Sequence, residues 1–282
     1  MIIDAHVHLF SPEVTASINR YTSRDDFLRQ ICSSPGHKFA TVEDLLQEMD
    51  RCGIQMAAAG GFACSDHGLC REMNDYMLKA NRKYPGRLLP LAVVSPNRPG
   101  LEAEIARCHE QGALGVGELF PWGQQFDLHS PEAGRLAGIC VERRLPLLLH
   151  VNEEVGHSYT GKGTVSVKQA AEFAGKHPDL TIIYAHWGGG LPFYELMPEL
   201  SRSLKNVYYD TAAGPFLYRS DIYRAVKEIG IIHKILLGTD YPLLSPRRYL
   251  KQIREAGLGE EEVRAILGLN AERVFKLRRE RQ

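Results

Sequence analysis

Two histidines separated by one residue lie near the start of the chain. His6 and His8 lie in the run Met1-Ile-Ile-Asp-Ala-His-Val-His8. The β-branched residues before them predict a strand, and side chains at positions i and i+2 of a strand point to the same face. Two imidazoles side by side at the end of a buried strand supply half of a metal site. The other half has to come from other segments of the chain.

Four more potential ligands follow apolar, mostly β-branched stretches, where another aliphatic residue would otherwise be favoured. They are Glu118, His150, His186 and Asp240. With the first pair they make four histidines and two carboxylates, a set that suits Zn²⁺ or another first-row divalent metal, bound as one or two ions. Glu118 has two interpretations: it binds a metal, or it accepts a hydrogen bond that orients a ligand histidine.

Short apolar segments position these residues. The segments are 2–8, 55–60, 88–94, 114–118, 146–150, 181–186, 206–210 and 234–238. Amphipathic helical patterns lie between them, and a clear one starts at Thr41, a predicted N-cap. The alternation predicts an α/β fold, a (β/α)8 TIM barrel in one domain over residues 1–282. A doubly wound open sheet is the alternative.

The barrel is favoured because the polar residues fall at strand ends. Catalytic groups of this fold sit at the C-terminal ends of the strands, which is where the six candidate ligands are predicted. The connection 9–40 is longer than an ordinary loop, and we expect it to cover the substrate.

Composition and charge exclude several classes of protein. The 282 residues include 34 basic and 34 acidic ones, so the chain has no electrostatic footprint for nucleic acid. No apolar run approaches the ~20 residues that span a bilayer, so no membrane partner is expected. The six cysteines include no C-x-x-C pair and are predicted to be reduced thiols. Met1 leads directly into a predicted strand, with no signal peptide, so we expect a cytoplasmic protein.

With these motifs the chain resembles the amidohydrolase superfamily, and within it the metal-dependent barrels similar to aminocarboxymuconate-semialdehyde decarboxylase. The resemblance covers residues 2–276 in the right order. The matching motifs are Asp4-Ala-His-Val-His8, His150 in Leu-Leu-Leu-His-Val, Tyr184-Ala-His-Trp-Gly-Gly189, Gly238-Thr-Asp-Tyr-Pro242 and the tail from Ile266 to Phe275.

The resemblance implies roles for these residues. His6, His8, His150 and Asp240 would hold one metal ion. His186 would either bind metal or act as a base and hydrogen-bond donor beside it. Asp240 would take the proton from metal-bound water, whose pKa a divalent metal lowers to ~7. Homodimers are also implied.

Glu118 resembles the glutamate that bridges two metals in hydrolytic relatives. We therefore predict a metal-dependent hydrolase that uses activated water on an ester, lactone, amide or cyclic C–N bond of a small molecule. The alternative is a nonoxidative decarboxylase of an aromatic or unsaturated carboxylic acid, and a third hypothesis is a catalytically silent metal-binding barrel. A decarboxylase needs a cationic anchor, and no arginine stands at a predicted strand end, which favours hydrolysis.

Two loops at the predicted barrel mouth supply candidate substrate contacts. Trp122 belongs to the aromatic loop 119–126 after the fourth strand, and Asn152 and His157 belong to the polar loop 151–162 after the fifth. These three residues are predicted to bind substrate because the loops that follow barrel strands carry specificity.

Overall fold

Eight parallel strands pair in chain order, each with the next. The structure is a computed structural model that describes residues 1–277. The strands are β1 (Ile3–His8), β2 (Met56–Gly60), β3 (Leu88–Ala92), β4 (Gly115–Leu119), β5 (Leu147–Leu149), β6 (Ile182–Tyr184), β7 (Val207–Asp210) and β8 (Ile235–Leu236).

The last strand returns to the first and closes the barrel. The Ala5 N–H donates to the Leu237 carbonyl at 2.6 Å, and the Asp240 N–H donates to the His6 carbonyl at 2.9 Å. The predicted (β/α)8 barrel is therefore confirmed, and the open sheet is excluded because an open sheet leaves its edge strands unpaired.

Helices connect the strands and form the outer layer. They are α1 (Pro12–Ala16), α2 (Ile18–Thr22), α3 (Asp26–Cys32), α4 (Val42–Cys52), α5 (His67–Lys83), α6 (Leu101–Glu110), α7 (Pro131–Arg143), α8 (Val167–Lys176), α9 (Pro198–Ser203), α10 (Gly214–Leu217), α11 (Asp221–Ile229), α12 (Pro246–Glu255), α13 (Glu260–Arg264) and α14 (Asn270–Val274). Within residues 1–277, no helix combines the length and apolar character needed to cross a membrane.

Helix α4 shows why the sequence folds as it does locally. The Thr41 hydroxyl accepts a hydrogen bond from the Asp44 N–H, and the Asp44 carboxylate accepts one from the Thr41 N–H. This reciprocal capping box satisfies two N–H groups that have no partner inside the helix. Gly53, with φ of 70°, ends the helix in the left-handed conformation that glycine adopts most readily. The predicted N-cap at Thr41 is confirmed.

The long connection 9–40 forms helices α1 to α3 and packs on the loop after β2. Arg24 pairs with Asp66 at 3.0 Å and with Glu72 at 2.7 Å. The Asp25 carboxylate, which is buried, accepts hydrogen bonds from the N–H groups of Leu28 and Ser65. The connection is thus tied to the barrel by buried and ionic contacts.

An apolar cluster fills the barrel at the N-terminal ends of its strands. Its inward side chains come from most of the strands: Ile3, Ala5, Ala58, Leu89, Leu91, Leu148, Ile183 and Leu236. Ala271, Val274 and Phe275 from the C-terminal helical region pack against this cluster and are buried. The closed end of the barrel is therefore a continuous core, and chemistry is left to the opposite end.

Candidate metal centre

The six predicted ligands meet at the C-terminal ends of the strands. They form two groups, and within each group one ligand atom per residue lies within 4.8 Å of the others. The first group is His6, His8 and Asp240, and the second is Glu118, His150 and His186. All are buried except Asp240, whose side chain is 16% exposed. The most accessible of the six is thus a carboxylate.

Glu118 links the two groups. One carboxylate oxygen lies 3.1 Å from His8 Nε2 and 3.3 Å from His6 Nε2. The other lies 3.0 Å from His150 Nδ1 and 3.4 Å from His186 Nε2. A single buried carboxylate therefore faces all four imidazoles, which is compatible with both interpretations of Glu118.

The donor set fits a divalent metal ion. His6 Nε2 and His8 Nε2 are 3.0 Å apart, and His186 Nε2 is 3.1 Å from His150 Nδ1. Lone pairs that face each other this closely are satisfied by a shared proton or by a cation. His150 Nε2 is buried and has no hydrogen-bond partner among the described residues. Imidazole nitrogens and carboxylate oxygens are also the ligands that first-row divalent metals accept.

The charges of these groups are strongly coupled. Burial by itself would raise the pKa of Glu118, but the neighbouring His6 and His150 outweigh it and hold that pKa well below its ordinary value. Burial would lower the pKa of His186, yet its hydrogen bond to Glu118 and the carboxylate charge raise it to about 9. The pKa of His6 is raised against burial by Glu118 and Asp210. A metal ion therefore competes with protons for these nitrogens.

A β-bulge turns the first pair of histidines into the barrel. Ile3 and Ala5 belong to the inner cluster, whereas Val7 packs in the outer layer. The pairing of β1 with β2 shifts between Asp4 and Val7. Because side chains alternate along a strand, the shift exchanges the inward and outward positions. His6 and His8 consequently face inward, where regular alternation from Ile3 would have put them outside.

Strand β4 uses a glycine for the same purpose. Its pairing with β5 shifts between Val116 and Leu119, which both pack in the outer layer. Gly117 has φ of 124°, and a Cβ there would lie 2.2 Å from the Leu148 carbonyl oxygen. Only glycine fits this backbone. The irregularity aims Glu118 at the centre of the barrel.

Two further ligands are aimed by left-handed backbone. His186 has φ of 56° and Asp240 has φ of 54°, a region that non-glycine residues rarely adopt. The His186 N–H donates to Asp210 Oδ1 at 3.0 Å, and the Asp240 N–H donates to the His6 carbonyl. These hydrogen bonds hold the unusual conformations in place. Such conformations cluster at functional sites.

Asp210 supports the ligand ring from behind. It is fully buried, and its Oδ2 accepts a hydrogen bond from His6 Nδ1 at 2.8 Å. Its Oδ1 accepts from the N–H groups of His186 and Ala212. This contact leaves His6 Nε2 free to face the centre. From the sequence, Asp210 at the end of the seventh strand could equally line the pocket or form an ordinary turn; in the structure it lies behind His6 and His186.

Asp4 joins the two strands that close the barrel. Its carboxylate accepts hydrogen bonds from the Thr239 hydroxyl at 2.5 Å and from the Thr239 N–H at 3.0 Å. Burial raises the pKa of Asp4 to about 7 despite these bonds. Since Thr239 precedes Asp240, the contact fixes the start of the loop that carries that ligand.

A cavity of about 460 Å³ opens over the ring. Its floor is made by five of the ligands: His8, Glu118, His150, His186 and Asp240. Phe10, Phe62 and Phe120 form an apolar wall, in which the rings of Phe62 and Phe120 stack at 4.7 Å with 28° between their planes. The rest of the lining comes from the connection 9–40, the loop after β5, the segment 213–217 and the loop after β8. The cavity is therefore polar at the floor and aromatic at the side.

The predicted substrate contacts lie in three different situations. His157 lines the cavity. Asn152 is buried beneath it, where its side-chain oxygen accepts a hydrogen bond from the Gly163 N–H at 2.7 Å. Trp122 is 39% exposed and packs edge-on against Phe27, at 5.5 Å between ring centroids, outside the described lining of the cavity.

The chain belongs to the amidohydrolase family. The family model described as Amidohydrolase matches residues 3–277. The protein therefore combines the barrel fold of an enzyme family with a set of potential metal ligands. These ligands lie at the C-terminal ends of the strands, where this fold places its active sites. A search of curated proteins finds no match.

Solved structures share this fold at low sequence identity. The 5-carboxyvanillate decarboxylase from Sphingomonas paucimobilis has a TM-score of 0.78 and 19% identity, with 98% of each chain covered. The 5-carboxyvanillate decarboxylase from Novosphingobium aromaticivorans, complexed with manganese and 4-hydroxy-3-methoxy-5-nitrobenzoic acid, has a TM-score of 0.76 and 17% identity, covering 98% of this chain and 96% of that one. A probable 2-pyrone-4,6-dicarboxylic acid hydrolase from Acinetobacter baumannii, with citric acid bound, has a TM-score of 0.69 and 19% identity, covering 98% and 99%. At these identities the similarity establishes the fold.

Proposed function

We propose that this protein is a metal-dependent nonoxidative decarboxylase of an aromatic or unsaturated carboxylic acid. The observation that carries the proposal is the lining of the cavity, where the stacked rings of Phe62 and Phe120 form an apolar aromatic wall beside the ligand ring. Such a wall packs well against a planar unsaturated molecule. Two of the similar structures are 5-carboxyvanillate decarboxylases, which supports the same reaction class. The hydrolase expected from the sequence becomes the second candidate.

His6, His8, His150 and Asp240 would hold the metal. When bound, a divalent ion supplies a Lewis acid that polarises an oxygen of the substrate and neutralises its charge. The donor set suits Zn²⁺, as predicted from the sequence, and the similar structure from Novosphingobium aromaticivorans contains manganese. We propose that the site binds either Zn²⁺ or Mn²⁺, because both ions accept imidazole and carboxylate ligands.

Asp240 and His186 are the groups that can move a proton in the cavity. In decarboxylation the C–C bond breaks, CO₂ leaves, and the electron pair that remains on carbon takes a proton. Asp240 is the most accessible ligand and lines the cavity, so we assign it the transfer of a proton from the substrate hydroxyl or water to that carbon. His186 stands beside it as a hydrogen-bond donor to the substrate.

The three loop residues receive different roles in this proposal. His157 lies in the cavity lining and contacts the substrate. Asn152 acts indirectly, by holding the backbone of the loop after β5 through Gly163. Trp122 also acts indirectly. It packs against Phe27, whose ring contacts those of Phe62 and Phe120.

Hydrolysis of a lactone or ester is favoured by a different observation. Glu118 places one carboxylate oxygen toward each of the two ligand groups. A carboxylate in that position can bridge two metal ions, and paired metals are typical of hydrolytic sites. Metal analysis of the purified protein gives one ion per chain for the first proposal and two for this alternative.

The experiment is a comparison of reactions on one preparation. Metal-free protein is loaded with Mn²⁺ or Zn²⁺ and assayed for CO₂ release from 5-carboxyvanillate, 2,6-dihydroxybenzoate and related acids, and for hydrolysis of a lactone and ester panel. We expect CO₂ release that is lost on chelation and in Asp240→Asn, and retained in Asp179→Asn, a matched change at an exposed residue. Turnover of the lactones and esters alone would refute the proposed reaction.

A further inference from the structure

Within the described part of the chain, one side chain with a full positive charge lines the cavity. Lys38, in the connection 9–40, is the only lysine or arginine among those lining residues. The two carboxylates of the lining, Glu118 and Asp240, belong to the floor. Lys38 is exposed, so the connection adds one solvent-accessible ammonium to a cavity whose acidic groups lie at the floor.

The ammonium of Lys38 is held but not neutralised. It donates a hydrogen bond to the Leu243 carbonyl at 3.2 Å, and Leu243 also lines the cavity. No ion pair joins Lys38 to a carboxylate within residues 1–277. Since an ammonium has three N–H donors, two remain for a ligand or for water.

The neighbouring histidines are placed by aromatic contacts. The His37 ring meets Phe39 at 4.5 Å and Phe10 at 5.8 Å, both nearly edge-on. His157 reaches the cavity from the loop after β5, and its ring lies 5.7 Å from that of Tyr159. Two imidazoles and the Lys38 ammonium thus supply polar groups beyond the aromatic wall.

We propose that Lys38, on the connection 9–40, binds a second acidic group of the substrate. The substrate is then a flat molecule with two acids: one at the ligand ring, the core along Phe62 and Phe120, and the other at Lys38. A carboxylate beside the free N–H groups of Lys38 gains a charge-assisted hydrogen bond. For the acid that loses CO₂, the inference rests on the proposed function. For binding of the second acid at Lys38, it rests on the cavity alone.

The test measures binding of inert probes to the Mn²⁺-loaded protein by calorimetry. Benzoate carries one acid, whereas isophthalate and terephthalate carry two at different spacings. We expect at least one dicarboxylate to bind about tenfold more tightly than benzoate, corresponding to roughly 1.4 kcal/mol. Lys38→Met should remove that advantage and leave benzoate binding unchanged, while Lys38→Arg retains it.

Lys168→Met is the matched control, because Lys168 is an exposed lysine paired with Glu172 outside the cavity. An equal loss of affinity for benzoate and dicarboxylates in Lys38→Met would overturn the inference, since it would mean that Lys38 only secures the connection to Leu243. A wild-type protein with no preference for either dicarboxylate would overturn it as well. Lys38-dependent dicarboxylate binding without any CO₂ release would support this inference and refute the proposed reaction.

Discussion

The two ends of the barrel use the same strands in different ways. At the N-terminal end Ile3, Leu148 and Ile183 follow regular alternation and meet in an apolar core. At the C-terminal end, β1 and β4 shift their pairing and the residues after β6 and β8 adopt left-handed backbone. Regular geometry thus accompanies stability, and irregular geometry accompanies the candidate chemistry. The comparison shows that one barrel strand can contribute to stability at its N-terminal end and to the candidate site at its C-terminal end.

The largest effect should come from the functional end. In Asp240→Asn we expect turnover to fall about 10³-fold, because the amide cannot carry the proton that the proposed reaction needs. The melting temperature should stay within a few degrees of wild type, and most of the metal should remain bound. Kinetics, calorimetry and metal analysis on one preparation check this. Unchanged turnover would remove Asp240 from its assigned role.

A substitution at the closed end should show the opposite pattern. Phe275 is buried against the inner cluster, and Phe275→Ala should lower the free energy of unfolding by about 3 kcal/mol through lost burial and a cavity. Metal affinity and KM should be unchanged at temperatures where the variant is folded. Denaturant unfolding measures the free energy of unfolding, and metal titration measures the metal affinity. A large loss of metal affinity would show that the two ends are coupled.

A smaller effect tests the support behind the ring. In Asp210→Asn the oxygen can still accept from the His186 N–H, but the amide NH₂ then faces His6 Nδ1. His6 must turn to the tautomer that is protonated on Nε2, which is the nitrogen facing the centre. We expect metal affinity to fall about 10–100-fold with little change in the unfolding of metal-free protein. Equal metal affinity would mean that Asp210 has only a structural role.

The smallest effect concerns pH. The pKa of His186 is raised to about 9 from 6.5 in the metal-free protein, so its protonated form stabilises the fold fully below pH 6.5. That contribution is lost as the pH rises through 9. A metal ion at the neighbouring ligands disfavours this proton by charge repulsion. The gain in the free energy of unfolding on adding Mn²⁺, and with it the rise in melting temperature, should therefore be larger at pH 8.5 than at pH 6.5, by up to about 1.4 kcal/mol per pH unit for one released proton. A response independent of pH would contradict the coupling to Glu118.

The sequence predicted all eight strands and the meeting of six strand-end residues. This succeeded because parallel strands buried on both faces are nearly continuous apolar runs, in which a histidine or carboxylate stands out. Even the Ala-rich strand β2 was recognised, from its position between a helix end and the Gly60-Gly61 turn.

The geometry that aims those residues was not predicted. Alternation placed His6 and His8 on one face, which is right, but it gave no sign of the bulge that turns this face inward. A bulge depends on the neighbouring strand, so a single segment does not reveal it. Gly117 was the one local signal, because a glycine just before a candidate ligand permits a backbone closed to other residues.

The cavity was the hardest part to predict. The aromatic loop 119–126 reaches the cavity through Phe120 and not through Trp122, and Phe62 and Phe10 complete the wall from a loop and a connection whose paths follow no periodic pattern. The preference for hydrolysis rests on Glu118 and on the lack of a strand-end arginine. The cavity receives its cation instead as Lys38, from the connection 9–40, which strand-end reasoning does not reach.

The join between β1 and β8 has a consequence for the order of events in the cell. His6 is supplied by the first strand and Asp240 by the loop after the last, and their backbones are hydrogen-bonded across that join. A chain emerging from the ribosome therefore holds half of its metal donors long before the remainder has been made. The complete site can form only after synthesis has passed the eighth strand, so binding of metal by the full ligand set reports a finished barrel.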